Sequence, residues 1–147
     1  MKKVILLFGM FTLFNQIILS QELNMHSFIG NSINQVISRM GKPVYQDDSN
    51  PVMICTFYKT STTRHVFVSN NKGVFQAEAC VSFTNESSIE KSVSKLISEC
   101  TSEGFTSDTL STESYCVQNV KVKVEISTSK NSLTNKFDLR IKATRKE

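Results

Sequence analysis

Residues 74–83 read VFQAEACVSF, and their alternation decides the architecture. Phe75, Ala77, Ala79, Val81 and Phe83 fall on one side of an extended chain, and Gln76, Glu78, Cys80 and Ser82 on the other. A period of two with one apolar and one polar side marks a strand of an antiparallel sheet that is covered on one face and wet on the other. Working outward, residues 52–59 and 64–69 are two further strand candidates. They are joined through residues 60–63, and Asn70-Asn71-Lys72-Gly73 leads into the quoted stretch as a hairpin signal.

The same alternation returns downstream, where residues 112–118, 120–127 and 136–144 are expected strands. Val120, Val122, Val124 and Ile126 point one way, as do Phe137, Leu139, Ile141 and Ala143. Lys121, Lys123 and Glu125 share the opposite, wet face with Asp138, Arg140 and Lys142.

Two segments switch to a helical period. In residues 28–43 (FIGNSINQVISRMGKP), Ile33, Val36, Ile37 and Met40 form one stripe, Asn31 or Ser32 can cap the start, and Gly41 with Pro43 stops the helix. In the second, Ser87 and Glu90 stand at capping-box spacing ahead of a stripe of Ile89, Val93, Leu96, Ile97 and Cys100, and Gly104 ends it. The expected fold is therefore α+β: two helix-plus-three-strand units in tandem, about residues 28–83 and 86–145, with the helices packed on one antiparallel sheet.

Ahead of this domain, Lys2 and Lys3 precede an apolar run, VILLFGMFTLF, over residues 4–14. That is the order of a secretory signal peptide, expected to be cut after Ser20 so that residues 21–147 form a single exported domain. Asn15 and Gln16 interrupt the run well short of the roughly 20 apolar residues of a membrane span. With the leader removed, 15 basic and 13 acidic side chains remain, a net +2, and residues 119–147 hold 8 of the basic and 3 of the acidic ones. This balance, with no stacking or recognition-helix signature, argues against nucleic acid as a partner.

The four cysteines, Cys55, Cys80, Cys100 and Cys116, all follow the leader, and an even count in an oxidising compartment invites disulfides. Three pairings are open. The preferred one keeps each bridge inside a half, Cys55 with Cys80 and Cys100 with Cys116, each contributing on the order of 3 kcal/mol by loop entropy. No two cysteines stand close together and only His26 and His65 could assist them, so a zinc site is not expected.

Catalytic chemistry finds little support. His26 lies near the expected mature N-terminus and reads as part of a mobile segment, and His65 reads as an exposed or partly buried strand residue beside Arg64. Asp47-Asp48, the one adjacent carboxylate pair, sits in a Ser-Asn-Pro turn, and Asn85-Glu86-Ser87 reads as a helix cap rather than a glycosylation acceptor. No catalytic residue, cofactor or metal is expected.

The stretch IGNSINQVISRMGKP at residues 29–43, followed by acidic turn residues and a strand ending Phe57-Tyr58, resembles the opening of the outer-membrane assembly lipoproteins of the SmpA/OmlA (BamE) family. The likeness continues through Val66-Phe67-Val68 to about Val74, a third of the chain, and a tandem of such units is similar to the β-lactamase inhibitor protein fold. The family is anchored through a lipid-modified cysteine after its leader, whereas here no cysteine precedes Cys55. The expected function is a non-enzymatic, periplasmic or secreted module that binds or assembles an envelope or secreted protein, without stable membrane insertion after cleavage. A secreted inhibitor of an enzyme is the alternative.

Overall fold

A computed structural model describes residues 23–147, and the expected leader over residues 1–20 lies outside them. The described residues form one eight-stranded antiparallel sheet with two α-helices. The strands are β1 (Tyr45–Asp47), β2 (Ile54–Lys59), β3 (Thr63–Asn70), β4 (Gly73–Phe83), β5 (Thr106–Ser111), β6 (Ser114–Gln118), β7 (Val122–Asn131) and β8 (Lys136–Arg145). The helices are α1 (Ile33–Met40) and α2 (Glu86–Ser102), and a 3-10 turn at Met25–Phe28 precedes both. The sheet order is β1-β2-β3-β4-β8-β7-β6-β5, two four-strand meanders joined where β4 pairs with β8.

This overturns the expected tandem of helix-plus-three-strand units. Strand makes up 47% of the described residues and helix 24%, so the sheet dominates and the helices do not define repeating units. The two strands missed are the sheet edges. β1 is three residues long, and every residue of β5 (TSDTLS) is exposed. Both are held by backbone pairing to a single neighbour and bury no alternating apolar side chain, so a hydrophobic period cannot reveal them.

The first helix is also shorter than the expected residues 28–43. Ser32 caps α1 through a reciprocal bond with Gln35, and only Val36 of its stripe is fully buried. The chain ahead of it does the packing instead. Leu23, Met25 and Phe28 enter the core, where the Phe28 ring lies 4.8 Å from Phe67 and beneath the Arg39 guanidinium at 3.9 Å. For α2 the capping residue is Asn85, whose side chain accepts the Ser88 N–H, rather than Ser87; Ile89, Val93, Leu96 and Cys100 are buried as the stripe requires.

The quoted alternation holds at Ala77, Ala79 and Val81, which are buried together with Leu139, Ile141 and Ala143 of β8 and Val124 and Ile126 of β7. It slips at one end. A bulge between Val68 and Ser69 in the β3 pairing leaves Phe75 as the extra residue of β4 and sends Val74 into the core. Val120 is 88% exposed because Asn119, accepting the Lys121 and Val122 N–H groups, holds a turn and β7 begins only at Val122.

Candidate functional site

The helices and the Met25–Phe28 turn lie on one face of the sheet, and among the described residues the other face is left open. Register places its residues in rows. One row runs Lys59, Arg64, Cys80, Arg140, Ser127 from β2 to β7, and the next runs Phe57, Val66, Glu78, Lys142, Glu125. With Val44 at the margin these side chains line an open hollow of about 730 Å³. Tyr45, 60% exposed, sets its ring 5.7 Å from Phe57 and extends the apolar shelf toward the β1 edge.

The charges on this face are unevenly satisfied. Lys142 Nζ stands 3.9 Å from Glu78, and Lys123 Nζ lies 2.8 Å from Glu125. Asp138 accepts the Ser82 hydroxyl at 2.6 Å. Lys59, Arg64 and Arg140 have no carboxylate within ion-pair distance among the described residues. Lys59 and Arg64 are direct cross-strand neighbours, a like-charge pairing that destabilises a sheet. Arg64 turns toward the Cys80 thiol, its Nη2 donating at 3.7 Å. The expected wet face of β7 and β8 is thus present, and it continues onto β2 and β3 as a basic patch that the sequence did not assemble.

A second hollow of about 750 Å³ opens between the start of α2 and the ends of β6 to β8, lined by Glu86, Glu90, Glu113, Tyr115 and Phe137. Lys130 also lines it, with its ammonium 5.5 Å from the Phe137 ring.

Both histidines are buried, which corrects their expected places. His65 faces the core, 3% exposed and stacked at 6.3 Å on Phe67. His26 is clamped rather than mobile: its Nε2 lies 2.9 Å from Glu103 Oε2, its Nδ1 lies 3.7 Å from Cys100 Sγ, and Phe105 meets its ring edge at 5.1 Å. Thiol, imidazole and carboxylate in this order form the outline of a nucleophilic triad, joined from positions 26, 100 and 103. Its chemistry fails at the sulfur. Cys100 has no exposed surface, and burial, followed by the nearby Glu103 and Glu99 carboxylates, pushes its thiol up to about 12. Cleavage chemistry needs an accessible thiolate, so the cluster acts as a staple that ties the Met25–Phe28 turn to the end of α2.

Asp47 accepts the N–H and hydroxyl of Ser49, which hold its carboxyl below the usual range in an exposed turn. Among the described residues no group of three His, Cys, Asp or Glu side chains could hold a metal ion.

All four cysteines are free, and the expected pairings are not formed. Cys55 and Cys80 share the open face, but two strand spacings and four residues separate them, about 16 Å between Cα atoms against a limit of about 7 Å for a bridge. Cys100 lies in the core, whereas Cys116 sits in the row of Glu125 and Lys142 on the other face. Native-state alkylation is expected to label Cys55 and Cys80 within minutes and to leave Cys100 unmodified until the protein unfolds. Labelling of Cys100 at the rate of Cys80 would contradict its burial. Because folding raises the Cys100 value above that of a free thiol, its contribution to stability is complete below about pH 9 and declines as pH rises toward 12.

No family model, curated protein or solved structure matches the chain.

Proposed function

We propose that the chain is a non-enzymatic, exported binding module of the cell envelope that engages a partner through the open face of its sheet. The observation that carries this reading is the face itself: three cations with no carboxylate partner among the described residues, beside an apolar shelf, on a sheet face that no other described element covers. The inaccessible Cys100 supports the non-enzymatic part. With every thiol free, support for export comes from the leader-like residues 1–20 and from the resemblance of residues 29–74 to the SmpA/OmlA (BamE) lipoproteins.

The test places a photocrosslinking residue at Val66, on the open face, and in a second variant at Ser98, on the exposed side of α2. Crosslinks in intact cells are expected from position 66 and not from position 98. Equal yields, or none from position 66, would remove the face from consideration. Cell fractionation separates the two roles: an assembly module stays with the envelope, whereas a secreted inhibitor appears in the medium with its target enzyme.

A further inference from the structure

We infer that the occupant of the open face is an acidic segment of another protein, which presents carboxylates to Lys59, Arg64 and Arg140 and lays an apolar side chain on Phe57 and Val66. This rests on the binding role proposed above and names the chemistry of the partner.

Charge complementarity makes the argument. Each carboxylate nearby on this face already has a partner: Glu78 faces Lys142, Glu125 holds Lys123, and Asp138 accepts from Ser82. Lys59 and Arg64 stand opposite one another, so an anion placed between them replaces a repulsion with two attractions. Arg64 and Arg140 lie on either side of β4, in register through Cys80, and a guanidinium fork matches the two oxygens of a carboxylate. The two basic centres are two strand spacings apart, about 10 Å. A segment in polyproline-II conformation carries side chains at i and i+3 on one side at nearly that distance.

The surroundings select against other anions. Glu78 and Glu125 interleave with the cations in the adjacent row and would repel a uniformly anionic lipid surface. The shelf of Val44, Tyr45, Phe57 and Val66 gives a free phosphate nothing to contact, but it suits a leucine-like side chain next to a carboxylate.

The probe is the peptide Ac-EPPELL-amide, titrated into the purified protein and followed by amide NMR shifts and by the alkylation rate of Cys80. Shifts are expected at Lys59, Arg64, Cys80 and Arg140, with Cys80 alkylation slowed severalfold and Cys55 alkylation unchanged. The glutamine analogue Ac-QPPQLL-amide and the double variant R64E/R140E are each expected to weaken binding by roughly tenfold or more. Lys130→Glu, in the other hollow, is expected to bind as the parent does. Equal affinity for the glutamine peptide overturns the inference, as does an absence of shifts at these four residues. So do the same shifts with inorganic phosphate or phosphatidylglycerol vesicles in place of the peptide, or self-association at the NMR concentration through this face. The crosslink from Val66 is read independently: a partner captured there through a neutral or basic segment leaves the binding face standing and removes its acidic occupant.

Discussion

Phe28→Ala is expected to lower the unfolding free energy by about 3–5 kcal/mol, the range for deleting a buried aromatic side chain. Phe28 is 1% exposed and lies between Phe67, 4.8 Å away, and the Arg39 guanidinium at 3.9 Å. Truncation removes the ring, leaves a cavity against Phe67, and strips Arg39 of its cation–π contact, which adds a further fraction of a kcal/mol. Little relaxation is available, because Met25, Val36 and Val74 around the same core are themselves fully buried. Against a total stability of about 5–15 kcal/mol such a loss approaches unfolding. Urea denaturation measures it as a fall in midpoint at unchanged slope. A change below about 0.5 kcal/mol, the ordinary result for a surface position, would contradict the burial of Phe28 in the core.

Gly73→Ala is expected to cost about 3 kcal/mol or more, although the substitution adds a single methyl group. Gly73 has φ +95°, and a Cβ there would lie 2.6 Å from the Gly30 carbonyl oxygen and 2.8 Å from that of Asn31. Those obstacles are backbone atoms, and they are tied in place. The Gly30 N–H donates to the Val74 carbonyl and the Val74 N–H to the Asn31 carbonyl, each at 2.8 Å. Arg145 Nη2 donates to the Gly73 and Val74 carbonyls at 3.3 and 3.0 Å, pinning the same turn from the end of β8. Gly104→Ala is the control, since Gly104 also has positive φ but open space around its Cβ, and about 1 kcal/mol is expected there. Thermal melts of the two variants should separate clearly. Equal losses would mean that strain alone, without the clash, accounts for the effect at Gly73.

Both positions show where sequence reading stopped. Asn-Asn-Lys-Gly announces a hairpin, and the hairpin is there, but nothing local says that residues 30–31 close against its glycine. Phe28 was read as the first residue of a helix, when a 3-10 turn places it in the core ahead of α1. A helical stripe reports which side of a segment is apolar. It does not report how much of that side a neighbour will cover, and of this stripe only Val36 is buried completely.

The candidate site divides in the same way. Lys123, Glu125, Asp138, Arg140 and Lys142 were placed on one wet face from alternation alone, and the register agrees. Lys59 and Arg64 were not joined to them, because Arg140 meets Arg64 only through β4, and the β4–β8 pairing links residues about sixty positions apart. The Cys100–His26–Glu103 cluster is a stronger case, its contacting members standing 74 and 77 positions apart in the chain. The disulfide pairing failed for a related reason: spacing along the chain measures loop length, whereas a bridge depends on which face each cysteine occupies.

By itself, then, the sequence determined the period-two strands from β2 to β4 and from β6 to β8, the two helical stripes, and the inward or outward sense of most side chains on them. Those properties follow from steric and solvation preferences that act within a few residues. The tertiary structure alone decided that two further strands close the edges, that Leu23, Met25 and Phe28 fill the core ahead of α1, and that β4 meets β8. It thereby gathered Lys59, Arg64 and Arg140 on one open face. Edge strands are held by backbone hydrogen bonds that carry no side-chain signature, and strand order is set by non-local pairing, which local sequence does not encode.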